Sequence, residues 1–155
     1  MKIEPINTEN FAPFGKLLNE YPFVELDPTE EFSWKDMSGG LEMFSPSCTG
    51  QLNCRYRDKI LKKVERHLQT PELMAALKGD SLICVASASL DTPEEKDVRC
   101  FAVKEGTVLM MDKAVWHWIP YPLQEPGSEF LVLFRDGTGA DDLNFHEFGT
   151  EITLG

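Results

Sequence analysis

The chain's three histidines are His67, His117 and His146. Two of them sit in ordered patterns with carboxylates and glycines. Around the first, Glu65-x-His67 is followed after four intervening residues by Glu72 and after six more by Gly79. Around the second, Gly106 leads through five residues to Asp112-x-Ala114 and then, through two more, to His117. Residues two apart on a strand share a face, so Glu65 and His67 can aim one way while Arg66 looks the other. Strict alternation would send Glu72 to the far face, so a bend at Thr70-Pro71 is needed to turn it inward. His117 would arrive from a distant strand. Two imidazoles and two carboxylates make a mixed N/O donor set that suits Mn, Fe, Ni or Zn, with positions left for water or substrate. Glu65, His67, Glu72 and His117 are therefore candidate ligands of a divalent metal. Glu72 and His117 are also candidate acid–base groups, whichever of them does not ligate. Two neighbouring carboxylates repel unless a metal or a proton sits between them. The competing reading leaves both glutamates as solvated surface groups and each histidine as an ordinary core or surface residue.

The elements that must position these residues read as strands. The stretch around Glu72 also carries helix signals, with Thr70 as N-cap, Pro71 in the first turn and Lys78-Gly79 as a stop. Those signals cover barely two turns, which is marginal for a helix, and the strand-and-turn reading takes precedence. Residues 1 to 20 read as a strand or extended start, and 21 to 60 as irregular. After residue 80 come the apolar run "SLICVASASL", the alternating "VRCFAVKEG" and the extended "TVLMMDKAVWHWI". The proline-rich loop "PYPLQEPGS" follows, then a buried strand in "EFLVLFRDGTG" and a last strand in "LNFHEF". Short runs between turn signals, with little helix, predict an all-β sandwich or barrel. Trp116 and Trp118 alternate around His117 and are expected on the opposite face, in core packing or a subunit interface. His146 reads as a strand-surface histidine.

Composition narrows the partners. A length of 155 residues suits one domain, residues 1–155, with a core large enough to need no disulfide staples. The hydrophobic fraction of 42% places the chain among globular rather than disordered sequences. A formal net charge of −11 would repel nucleic acid and anionic membranes. None of the four cysteines forms a C-x-x-C pair, and Cys84 and Cys100, in apolar runs, read as buried thiols. No leader-like or membrane-spanning segment is evident, so a cytoplasmic protein is expected.

The two histidine motifs resemble those of the cupin barrels, with Glu65 in place of the first histidine and Asp112 and Ala114 in place of Pro and Gly. More narrowly, "FAPFG" (11–15), "ERHLQTPELMAALKG" (65–79), "VWHWIP" (115–120) and "FLVLFRDG" (130–137) resemble the ureidoglycolate lyase family. In that family Glu72 stands where Gln is usual, Trp118 where a second His follows the first, and Asp112 where a His is frequent. "NCRYRD" (53–58) is the nearest counterpart of an arginine-bearing strand. The resemblance implies a single cupin-like antiparallel β-barrel of the jelly-roll type, working as a homodimer on a small ureido or hydroxy acid. The implied reaction releases urea and glyoxylate from ureidoglycolate. Arg55, Arg57 and Arg135 are candidates for the substrate carboxylate, because a guanidinium fork matches it bidentately; an ordinary surface role competes for each. Two other functions stay open: a noncatalytic cupin that binds a small ligand or metal, and a cupin sugar isomerase or epimerase.

Overall fold

The computed structural model describes residues 1–20 and 47–155. In chain order its strands are β1 (Ile3–Pro5), β2 (Gly15–Leu17), β3 (Ser47–Arg55), β4 (Ile60–Arg66), β5 (Glu72–Lys78) and β6 (Ser81–Ala86). They continue as β7 (Arg99–Val103), β8 (Val108–Met111), β9 (Trp116–His117), β10 (Tyr121–Pro122), β11 (Gly127–Arg135) and β12 (Asn144–Thr153). The α-helices among the described residues, α1 (Thr8–Phe11) and α2 (Thr138–Asp141), are one turn each. No helix of these residues is long and apolar enough to cross a membrane. The expected all-β architecture takes the form of two sheets. One runs β1-β7-β6-β9-β4-β12 with β10 paired to β6, and the other runs β2-β8-β5-β11-β3. Pairing is antiparallel except between β1 and β7, which run parallel.

Alternation explains why these segments are strands. On β5, Glu72, Met74 and Ala76 are buried while Leu73 and Ala75 are only partly so. The helix-favouring composition of "ELMAALK" is overridden because β5 has ladder partners on both sides, β8 and β11. On β6 every residue is buried, because both faces of the strand are covered. Ile83 and Val85 join Phe101, Met74, Leu109 and Phe130 in the core between the sheets. Leu82, Cys84 and Ala86 face a second core with Leu61, Trp116 and Ile152. Cys84 and Cys100 are buried, unbridged cross-strand neighbours with sulfurs 3.6 Å apart.

Three local readings change. Within the stretch read as irregular, residues 47–55 form the nine-residue strand β3; residues 21–46 lie outside those described. β3 pairs with β11 and alternates: Ser47, Thr49, Gln51, Asn53 and Arg55 are exposed, while Leu52 and Cys54 on the other face pack on the core. "TVLMMDKAVWHWI" is not one extended run, because a turn at 112–115 separates β8 from β9. Within the proline-rich segment, Tyr121–Pro122 pair with β6 and Gly127 begins β11.

The motif glycines serve as backbone pivots. Gly79 and Gly106 have φ of +76° and +83°, in the left-handed region that favours glycine. A Cβ on Gly79 would also stand 2.9 Å from the Gly127 carbonyl oxygen. Ala114, where the second motif has glycine, nonetheless adopts φ +65°.

Candidate active site

The chain crosses from one sheet to the other between β4 and β5, and the site is built on that crossing. Glu65 lies near the end of β4, directly opposite His117 of β9 in the ladder. Cross-strand partners point to the same face, so both side chains meet at one surface. His67 follows the last residue of β4, residues 68–71 make the bend, and Glu72 opens β5 in the facing sheet. The peptide N–H of Ala114 donates to the His67 carbonyl over 2.7 Å, tying the turn before β9 to this crossing.

Glu72, His67 and His117 are 8%, 5% and 5% exposed, so their charges are not solvated away. The Glu72 Oε2 lies 3.2 Å from His67 Nε2 and 3.6 Å from His117 Nε2. The first is hydrogen-bonding range and the second is beyond it. His117 Nε2 is accordingly buried without a hydrogen-bond partner. Both rings place Nδ1 against a backbone carbonyl, His67 on Asp142 and His117 on Val115, each over 2.9 Å. A carbonyl only accepts, so each Nδ1 carries the proton and each Nε2 is the atom turned to the carboxylate. Two lone pairs facing a carboxylate repel, so this geometry requires a proton or a cation among the three groups.

Proton affinities shift accordingly. Burial opposes the charge on Glu72, but the neighbouring His117 and His67 rings outweigh it and hold the carboxyl down to about 2, against an ordinary 4.5. Burial likewise opposes charge on His67, yet the hydrogen bond to Glu72 raises that ring above its ordinary 6.5. His117 is also raised, with burial opposed by the Glu72 charge.

One ligand atom from each of Glu65, His67 and His117 lies within 4.8 Å of the other two. Ligands held about 2.1 Å from one ion lie up to roughly 4.2 Å apart, so the three atoms stand close to the spacing that a shared metal requires. The partnerless Nε2 of His117, the two anchored Nδ1 atoms and the mixed N/O donors fit a divalent cation. Glu72 stands against the ring Nε2 atoms beside this trio.

These four residues line a cavity of about 390 Å³. Its walls are largely apolar, with Met74, Val132 and Phe134 from the facing sheet and Leu143 before β12. Gln51 and Thr138 add polar atoms. Trp118 packs against the core that holds Trp116, as expected, and also lines this cavity beside His117. β9 ends at His117, so strand alternation no longer dictates where residue 118 points. Trp116 does take the opposite face, buried with its indole N–H on the Leu90 carbonyl and the Arg66 guanidinium over its ring. His146 sits on β12 outside the cavity, edge-on to Trp116 and Phe148.

None of the three candidate arginines is among the described residues lining the cavity. Arg55 is exposed on β3. Arg57 stacks on Tyr121 and donates to the carbonyls of Ile119 and Pro120, over 2.9 and 3.0 Å, clamping the segment that forms one cavity wall. Arg135 pairs with Asp141 and donates to the Asp136 carbonyl. Asp112, on the turn, is exposed. Asp142, which carried no sequence signal, accepts the peptide N–H groups of Leu68 and Gln69 over 2.8 and 2.9 Å.

A buried histidine–carboxylate cluster in a cavity between two sheets defines an all-β protein with a candidate acid–base or metal site. The particular family is given by comparison with known proteins. The family model for ureidoglycolate lyase matches residues 1–155, and the chain belongs to that family. It is 25% identical over 148 residues to the ureidoglycolate lyase of Pseudomonas paraeruginosa, covering 90% of this chain and 85% of the relative. It is 26% identical over 167 residues to that of Pseudomonas fluorescens, covering 99% and 96%. Among solved structures, a mutant of Bacillus subtilis oxalate decarboxylase aligns at TM-score 0.44 and 18% identity, over 70% of this chain and 24% of that longer one. The formate complex of Lactobacillus farciminis oxalate decarboxylase aligns at TM-score 0.45 and 14% identity, over 70% and 26%.

Proposed function

We propose that this chain is a ureidoglycolate lyase whose reaction takes place in the cavity lined by Glu65, His67, Glu72 and His117. The observation that carries the reading is a single carboxylate oxygen standing 3.2 and 3.6 Å from two imidazole Nε2 atoms in a buried cavity. Family membership supports the reaction class. Ureidoglycolate is a hemiaminal, with a hydroxyl and a ureido nitrogen on one carbon. A base removes the hydroxyl proton, the oxygen's electron pair forms the carbonyl of glyoxylate, and the C–N bond breaks. The departing nitrogen takes up one proton and leaves as urea, so no water is consumed. Glu72 is the group assigned to move this proton from oxygen to nitrogen.

Glu65, His67 and His117 are the residues assigned to a divalent metal, which leaves Glu72 free to carry the proton. A bound divalent ion would polarise the substrate hydroxyl and carboxylate and lower the hydroxyl's proton affinity. Met74, Val132 and Phe134 give the cavity an apolar wall beside these groups. Arg55, Arg57 and Arg135 receive no substrate contact in this scheme. Residues 1–155 work as one domain, in a cytoplasmic homodimer, on a small acid and not on nucleic acid or membrane. The test is to follow ureidoglycolate by proton NMR with wild-type protein and with Glu72→Gln. Loss of the substrate methine signal at a rate set by wild-type enzyme, and slowed at least tenfold by Glu72→Gln, is the expected result. Equal rates with both proteins would remove Glu72 from the chemistry.

A further inference from the structure

We infer that Asp142, which lies outside the cavity lining, is the residue that positions His67, acting through two linkages at once. Its backbone carbonyl accepts the His67 Nδ1–H over 2.9 Å. Its side chain accepts the peptide N–H groups of Leu68 and Gln69 over 2.8 and 2.9 Å, the two residues that follow His67 in the bend. The first linkage fixes which ring nitrogen bears the proton and thereby aims the Nε2 lone pair into the cavity. The second holds the bend so that the ring stays over that carbonyl. Asp142 is 2% exposed, so no water competes for these contacts. Its sequence position, immediately before Leu143 and β12, places one cavity-lining residue next to it, and Thr138 of α2 is another on the same segment.

The division of labour is chemical. A carboxylate offers two oxygens as acceptors and satisfies both N–H groups of the bend at once. Asparagine keeps one oxygen but turns an NH2 group toward the other N–H, so it can hold only half of the bend. Alanine leaves both N–H groups without their acceptor, which drives the bend toward water. His117 takes no part in this arrangement, since its own Nδ1 rests on the Val115 carbonyl. It is therefore an internal control for any effect on His67.

This inference rests on the assignment of His67 to the site proposed above, but its first readout does not depend on metal or turnover. In metal-free protein the Nδ1 protons of His67 and His117 are read by proton–nitrogen NMR of the rings. Both should be seen, sheltered from solvent exchange, in wild type. In Asp142→Ala the His67 signal should be lost while that of His117 stays. In Asp142→Asn it should persist with faster exchange. Calorimetric titration with Zn²⁺ alone should then show binding weakened roughly 10- to 100-fold by Asp142→Ala, and less by Asp142→Asn. If Asp142→Ala does not fold, Asp142→Asn carries the test through its selective effect on His67. An unchanged His67 signal in a folded variant, or equal loss of both histidine signals, would overturn the inference. Failure of wild type to bind Zn²⁺ would overturn the metal assignment, while the ring-proton comparison would still decide the role of Asp142.

Discussion

Glu72→Gln in metal-free protein isolates the electrostatic role of the buried carboxylate, because glutamine keeps the size and one acceptor oxygen but not the charge. A carboxyl held near 2 in place of 4.5 represents, at about 1.4 kcal/mol per tenfold change in proton affinity, about 3 kcal/mol of pH-dependent stability. Its direction is set by the two sides of the interaction. The Glu72 carboxyl is depressed, so its contribution is full above 4.5 and is lost as pH falls through about 2. The His67 and His117 rings are raised, so the same interaction is full only below 6.5 and is lost as pH rises through their folded-state values. These are two views of one interaction and count once. Wild type should therefore exceed Glu72→Gln most at about pH 5.5, by about 3 kcal/mol, with the smaller part of that remaining at about pH 3 and a decline again at alkaline pH. The assay is urea unfolding followed by tryptophan fluorescence, with chelator present, at those three conditions. A difference that stays constant across them would refute the sharing of charge among Glu72, His67 and His117.

His67→Ala and His117→Ala should each abolish stoichiometric divalent metal in the purified protein, whereas His146→Ala should retain it; elemental analysis of the three variants decides. Ala114→Gly should stabilise the protein by about 1 kcal/mol in chemical denaturation, because Ala114 sits at φ +65° where glycine is unstrained. Gly79→Ala should destabilise it by roughly 1 to 3 kcal/mol, since φ is +76° and the new methyl would meet the Gly127 carbonyl at 2.9 Å. Arg57→Ala should raise KM more than it lowers kcat in steady-state kinetics, because it frees the Ile119 and Pro120 carbonyls of the cavity wall and leaves the histidine–glutamate cluster in place.

Short-range geometry is what made the cluster readable. Glu65 and His67 share a face by strand alternation, Glu72 needs a bend, and the glycines at 79 and 106 occupy left-handed turns that few other residues tolerate. Those rules act over a few residues, so spacing alone carries them. β3 is harder to read because its inward face carries Cys48, Gly50, Leu52 and Cys54, so its alternation is only weakly apolar. Trp118 packs on the Trp116 core as alternation predicts, but its added contact with the cavity is not legible, because its strand stops one residue earlier. Arg57 looked like a substrate ligand, but its partners are carbonyls 62 and 63 residues away, and no local pattern announces them. Asp142 is likewise 75 residues from His67, and its neighbour Asp141 has the same side chain yet is exposed and paired with Arg135. Burial and long-range register, not residue type, separate the two aspartates.

Product stoichiometry tests the central claim most directly. Wild-type protein incubated with ureidoglycolate should release urea and glyoxylate in equal amounts, above the spontaneous rate and without ammonia, and His117→Ala should return the rate to that background. Turnover no faster than background in metal-supplemented wild type, or undiminished turnover in His117→Ala, would contradict the placement of this reaction in the cavity.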